Sequence, residues 1–208
     1  MFLTFEGLDA SGKTTQAQML VEALRARGAA PVHFIREPGG TGISERLREI
    51  LLDRRTLDLS DLAELFLFSA SRAQLVREVI APALARGETV VCDRFYDSTT
   101  AYQGYGRGLD LRAIAVVNDL AASGSVPDLT VLVDITVDEV MRRKRAAGGA
   151  ADRMEEGGRE FFERVRRGYL AIAREHPERV QVVDGMRSVE QVAADIRRAV
   201  GERQEQLH

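Results

Sequence analysis

The string Gly7-Leu8-Asp9-Ala10-Ser11-Gly12-Lys13-Thr14, near the start of the chain, fits the pattern G-x-x-x-x-G-K-[ST]. It follows a short apolar run over 2–5 and opens a helical pattern over 13–27, the strand–loop–helix context in which this pattern has physical meaning. The glycines allow backbone angles that turn successive N–H groups toward an anion, and the helix adds its positive dipole end. Lys13 brings a compact charge for β- and γ-phosphates, and the Thr14 hydroxyl is suited to ligate Mg²⁺. With Thr15, residues Gly7 to Thr14 form the expected ATP-binding set. A nucleoside triphosphate is therefore predicted as one ligand.

The rest of the chain supplies the scaffold such a loop needs. Further short apolar runs lie at 32–36, 89–92, 129–135 and 180–183, rich in β-branched residues and without polar alternation. That pattern predicts strands covered on both faces. Helical periodicities fill the gaps at 45–52, 62–86, 111–122, 137–145, 161–175 and 189–200, with Pro82 expected to kink or end the second of these. Strands alternating with helices predict an α/β fold, a five-stranded parallel sheet flanked by helices. At 208 residues the expectation is a single domain over 1–208. The glycine-rich stretch 146–158 stands apart and reads as a short mobile lid, approximately 143–158.

Charge and special residues narrow the partners. The chain carries 29 Lys+Arg against 32 Asp+Glu, a formal net charge of −3, which argues against coating nucleic acid or binding a membrane by charge. Cys92 is the single cysteine, and His33, His176 and His208 fit no metal-ligand spacing. The start of the chain lacks the basic region of a signal peptide, and no apolar run is long enough for a bilayer. A cytoplasmic protein is expected.

A phosphate loop alone leaves GTPases, motor ATPases and small-molecule kinases open. No N-K-x-D string is present to read guanine, and the chain is short for a large ATPase. A compact kinase needs a second site, and candidates for it follow the strands. The run at 89–92 leads into Asp93, placed to approach the metal or its waters, and Arg94, suited to a substrate phosphate. The segment 93–104 beyond it is dense in polar and aromatic residues and reads as a loop. Arg36-Glu37-Pro38-Gly39-Gly40-Thr41 leaves the second strand on the same sheet edge. Phe68 and Arg72, four apart on a helix, could stack a base and bond its edge, although a plain core Phe and a solvated Arg would be equally ordinary.

These blocks, FEGLDASGKTTQ, REPGGT, LFLFSASRAQLV, DRFYDSTTAYQG, DRME and VVDGMRSVEQVAADI, occur in order along nearly the whole chain and together resemble the thymidylate kinase family. The resemblance implies transfer of the γ-phosphoryl of ATP to dTMP, giving dTDP and ADP for dTTP synthesis, with Mg²⁺ as cofactor and a homodimer as the assembly. It implies that Phe68 stacks on thymine, Arg72 bonds its edge, and Arg94 holds the dTMP phosphate. Asp9 would accept from the sugar 3′-hydroxyl, and Tyr102 would lie beneath the deoxyribose and crowd out a 2′-hydroxyl. Glu37, Pro38, Ser98, Thr99 and Gln103 complete the acceptor side; some relatives have Asn where Thr99 stands.

The phosphate loop has no arginine, so the chain resembles the class whose basic residues come from the lid. Arg153, together with Arg143 or Arg145, would then reach the transferring phosphoryl, making Lys13, Arg94, Arg153 and Asp9 the catalytic set. At least two of Arg142, Arg143, Lys144 and Arg145 should face solvent, because one helix cannot aim all four at one point. Adenine contacts are expected near 184–187. Two alternatives stay open: a kinase for another monophosphate, deoxyuridylate above all, and a switch or binding module that hydrolyses ATP slowly.

Overall fold

The structure is a computed structural model that describes residues 1–28, 31–53, 58–147 and 158–206. Five strands, β1 (Phe2–Glu6), β2 (Val32–Arg36), β3 (Thr89–Asp93), β4 (Leu129–Asp134) and β5 (Val180–Asp184), form one sheet in the order β2-β3-β1-β4-β5. Every pairing is parallel, as the alternation of strands and helices predicts. Burial follows position in the sheet. The central β1, β3 and β4 are almost wholly buried, whereas the edge strands β2 and β5 are partly exposed. The expectation of cover on both faces therefore holds for the centre and fails at the edges.

Helices α1 (Lys13–Ala26), α2 (Gly42–Leu52), α3 (Asp61–Leu75), α4 (Ala81–Ala85), α5 (Tyr96–Thr99), α6 (Leu111–Ala122), α7 (Val137–Ala147), α8 (Gly158–Glu175) and α9 (Val189–Gln206) lie among the strands. The strand pleat sorts successive residues between two faces. Leu3 and Val91 pack with Leu20, Leu24, Ile196 and Val200 of α1 and α9. Their neighbours Phe2, Val90 and Cys92 pack with Leu75, Val76 and Ile80 on the other side. Each such fully buried aliphatic contributes about 1.5–3 kcal/mol.

Two helical stretches differ from the sequence expectation. Residues 76–80 form a π turn between α3 and α4, with Ala81 N–H bonded to Val76 O. Pro82 has no N–H to continue an α-helical ladder, and the widened turn upstream absorbs that loss. The segment after β3 is helical rather than a loop: α5 runs into a π-helical segment, Thr100–Gly106. Its glycines, poor for helix propensity, are required by packing. A Cβ on Gly106 would lie 2.7 Å from Phe161 and one on Gly104 2.5 Å from Leu111. Close approach of neighbouring helices overrides local preference here.

Candidate active site

Glycine requirements build the phosphate loop between β1 and α1. Gly7 has φ 140°, and a Cβ there would sit 2.4 Å from Val133 O on the neighbouring strand. Ala10 (φ 61°) and Gly12 (φ 91°) complete the turn. Helices α2, α3 and α6 are capped by the side chains of Thr41, Ser60 and Asp110, but α1 has Gly12 at its N-cap, with no side-chain cap and no acidic residue in its first turn. A helix start of that kind suits an anion. Lys13 is buried, its Nζ 3.5 Å from Leu8 O and 3.9 Å from Asp9, and burial followed by the nearby Arg94 pulls its pKa below the usual lysine range.

The parallel register carries the end of β3 to the same edge. Thr14 Oγ1 donates to Asp93 Oδ2 across a very short contact, and the other carboxylate oxygen, Oδ1, is buried with no hydrogen-bond partner among the described residues. A hydroxyl and a half-satisfied carboxylate beside a phosphate loop are the donor set a hard cation takes. The residues present fit Mg²⁺.

Every acceptor-side residue predicted from sequence lines one cleft: Asp9, Glu37, Pro38, Phe68, Arg72, Arg94, Ser98, Thr99, Tyr102 and Gln103. Phe68 is partly buried and packs against the core cluster that contains Tyr102. Arg72 is not a solvated charge, being 1% exposed. Its Nε donates to Glu37 at 3.1 Å and its Nη2 lies 2.6 Å from the same carboxylate, while Asn118 and Thr99 accept at 2.7 and 2.6 Å. Burial raises the Glu37 pKa, and Arg72 opposes that rise. Gln103 is held by Glu64 at 2.7 Å.

Arg94 joins the two halves. It sits at φ 72°, with Nη2 donating to Asp9 at 2.5 Å and to Tyr102 at 3.2 Å, and Nη1 donating to Ser98 and Tyr169 at 3.0 Å each. Burial alone would raise Asp9, but Arg94, then Lys13 and Lys144, outweigh it and hold the carboxyl at about 2. Asp9 is thus a fixed anion between cations.

Of the four basic residues on α7, Arg143 and Lys144 turn toward the site. Arg143 donates to Ala10 O and Ser11 O at 3.1 and 3.2 Å, and to Gly185 O at 3.0 Å, spanning the phosphate loop and the expected adenine region. Lys144 Nζ lies 3.8 Å from Asp9 and 4.4 Å from the centre of the Phe162 ring. Arg142 pairs with Glu139 and Arg145 bonds Met141 O, both on the exposed side. Of the expected pair Arg143 or Arg145, Arg143 is the one brought to the loop, since the position of Arg145 on the helix turns it outward, and Lys144 reaches Asp9 as well. Arg153 lies outside the described residues.

Sequence reasoning missed Arg48, Leu52 and Phe95, which also line the cleft, and Glu6, Asn118 and Tyr169 behind it. Arg48 had a legible signal, a cation on the helix that follows Arg36-Glu37-Pro38. Glu6 and Tyr169 had none, because their roles depend on contacts across 163 positions of sequence.

A switch or motor has no use for a second, aromatic-walled cleft whose arginine touches the phosphate loop's own aspartate. The two halves together define a P-loop kinase for a small phosphate-bearing acceptor. The sequence model described as Thymidylate kinase matches residues 5–196, and the chain belongs to the thymidylate kinase family. A thymidylate kinase of Pelotomaculum thermopropionicum is 48% identical over 201 residues, covering 97% of this chain and 93% of that protein. One from Desulfovibrio desulfuricans is 49% identical over 206 residues, covering 96% and 94%. A crystal structure of thymidylate kinase from Ehrlichia chaffeensis, 36% identical, matches the fold with a TM-score of 0.79 over 97% of this chain and 98% of that one.

Proposed function

We propose that the protein transfers the γ-phosphoryl of ATP to dTMP, giving dTDP and ADP in the supply of dTTP. The observation that carries this reading is the Arg94–Asp9 contact, 2.5 Å, which ties the acceptor cleft to the phosphate loop. An oxygen of the dTMP phosphate attacks the γ-phosphorus, the bond from that phosphorus to the bridging oxygen of ADP breaks, and ADP leaves. The attacking oxygen is already anionic, so no strong general base is required. Catalysis rests on in-line placement and charge neutralisation. Lys13 and the α1 N-terminus hold the donor phosphates, Arg94 holds the acceptor phosphate, and Asp9 fixes Arg94 while accepting from the sugar. Mg²⁺, held by Thr14 and Asp93, supplies further neutralisation of the phosphate charge when bound.

In this reading Phe68 stacks on the base, and Arg72, its other donors committed to Glu37, Asn118 and Thr99, offers its remaining N–H to a base carbonyl. Tyr102, buried and under the Arg94 guanidinium at 5.0 Å, is the barrier to a ribose 2′-hydroxyl. Arg143 serves the donor side, and Arg153 in the lid over about 143–158 would add charge at the transferring group.

We further propose one kinase domain over 1–208, acting as a homodimer in the cytoplasm. Leu62 and Phe66 of α3 are 52% and 53% exposed, one helical turn apart, and α6, which packs against α3, exposes Val116 and Leu120 at 60% and 75%. A second copy of this apolar face is the partner that fits. No helix among the described residues is long and apolar enough to cross a membrane.

The test is an ADP-release assay with ATP and Mg²⁺ across dTMP, dUMP, dCMP, dGMP and the ribonucleotide TMP. The largest kcat/KM is expected for dTMP, with dUMP nearest because one methyl discriminates by only ~1 kcal/mol. ADP release independent of any monophosphate would overturn the proposal.

A further inference from the structure

Glu6, the last residue of β1, is fully buried immediately before the phosphate loop, and no step of the proposed reaction uses it. Its Oε1 accepts the Phe95 N–H at 2.7 Å. Its Oε2 accepts the Ser98 hydroxyl at 2.5 Å and the Tyr169 hydroxyl at 2.9 Å. Those two hydroxyls are the ones that accept from Arg94 Nη1. The polarity runs one way, from guanidinium to hydroxyls to carboxylate. An ionised Glu6 accepts all three donors with full charge, whereas a protonated one accepts more weakly and brings a hydrogen of its own into a shell of donors, so that Ser98 and Tyr169, whose hydroxyls lie 2.8 Å apart, must reorient.

The backbone depends on Glu6 as well. Arg94 adopts φ 72°, a left-handed conformation that costs a residue with a Cβ on the order of 1–3 kcal/mol and persists only where neighbours enforce it. The Arg94 N–H bonds Phe5 O at 2.9 Å, and the next N–H, that of Phe95, is the one Glu6 receives. Glu6 therefore grips both the turn that aims Arg94 and the outer edge of its guanidinium. The opposite edge, Nη2, is left facing Asp9 on the phosphate-loop side.

We infer that Glu6 is a positioning residue for acceptor binding: through Phe95, Ser98 and Tyr169 it fixes Arg94 in the orientation that receives the acceptor phosphate. The inference rests on the proposed role of Arg94 and deepens it. The charged and titratable groups around Glu6 are Asp97 on α5, Arg94 after β3, Lys13 on α1, Tyr102 in the π-helical segment, Tyr169 on α8 and Cys92 on β3. Burial, and then Asp97, push Glu6 up to about 7 against the pull of Arg94. Protonation near neutral pH would loosen the clamp, so acceptor affinity should fall on the acid side of neutrality through this chain's own carboxyl. The acceptor phosphate has its own proton near pH 6, a separate effect that any variant shares.

The test is Glu6→Gln, which keeps the shape and an acceptor for Phe95, assayed with Tyr169→Phe, Arg94→Lys and the Glu6→Gln/Arg94→Lys double variant. Losing a hydrogen bond to a charged group is worth about tenfold. At pH 8, Glu6→Gln should raise KM for dTMP about tenfold while KM for ATP moves less than about twofold. Tyr169→Phe should shift the same constant in the same direction. The acid limb of kcat/KM for dTMP near pH 7 should disappear in Glu6→Gln, leaving only the limb of the phosphate. In the Arg94→Lys background Glu6→Gln should add little, because the group it positions has gone. Equal changes in both KM values, an unmoved pH limb or additivity with Arg94→Lys would reduce Glu6 to a structural residue and overturn the inference. Wild-type enzyme that does not phosphorylate dTMP would instead overturn the proposed function.

Discussion

Arg72 is the largest side chain among the fully buried residues, and removing it should cost the fold more than it costs catalysis alone. Arg72→Met keeps much of the volume but leaves Glu37, itself 4% exposed, as a buried carboxylate without its cation. Breaking a buried pair from one side costs about 3–5 kcal/mol. Asn118 and Thr99 each lose a donor, worth about 1 kcal/mol apiece. The sum, about 5–7 kcal/mol, is comparable with the whole stability of a typical domain at about 5–15 kcal/mol. Urea unfolding followed by circular dichroism reads it directly. Arg72→Met should be severely destabilised at pH 8 and partly recovered at pH 5. Without Arg72 the folded-state pKa of Glu37, already raised by burial, rises further above the unfolded value. Protonated Glu37 then favours the fold below the unfolded pKa, and that favour is lost as pH rises through the folded one. Arg72→Met/Glu37→Leu should recover most of the loss at both pH values by removing the orphaned charge. A single variant that loses less than about 1 kcal/mol, or a double variant no more stable than the single, would refute the pairing argument.

Three further outcomes are expected. Lys13→Ala should keep its circular dichroism spectrum and lose orders of magnitude in kcat/KM, because its charge is used on phosphate; a folded variant with near-normal turnover contradicts that role. Glu6 has a folded pKa raised from 4.5 to about 7, so the stability its protonated form contributes is present below about 4.5 and lost as pH rises through about 7. Wild type should therefore lose on the order of 1–3 kcal/mol between pH 5 and pH 8 that Glu6→Gln retains, measurable as diverging Tm values. Phe66→Glu/Leu120→Glu should convert a dimer to a monomer in sedimentation velocity without unfolding it, and an unchanged sedimentation coefficient would remove that face from the interface.

Local signals carried much of this architecture. The strands, the phosphate loop and the helix starts are written in contiguous residues, so the sheet and its order of elements were legible. The acceptor cleft was legible in part for a related reason: Arg94 and the Glu37 segment lie just beyond strands, and a parallel sheet brings those ends to one edge, whereas Phe68 and Arg72 read equally well as core and solvated charge and Tyr102 entered only through the family resemblance. What local reading missed is long-range. The helix over 96–106 is enforced by Phe161 and Leu111 pressing on glycines that by themselves suggest a loop. Glu6 meets Tyr169, and Arg72 meets Asn118, only after the sheet has formed. On α7 the sequence marks a run of positive charge, but helix phase decides that Arg143 and Lys144 face the loop while Arg142 and Arg145 face solvent.

The central claim is that donor and acceptor halves work as one machine, with the phosphoryl group passing directly between them. Its most direct test follows the label from [γ-³²P]ATP in the presence of Mg²⁺ and dTMP, separating nucleotides from inorganic phosphate. The account predicts label in dTDP in equal amount to the ADP formed, with almost none as free phosphate. Label accumulating as inorganic phosphate, with dTDP absent, would contradict it.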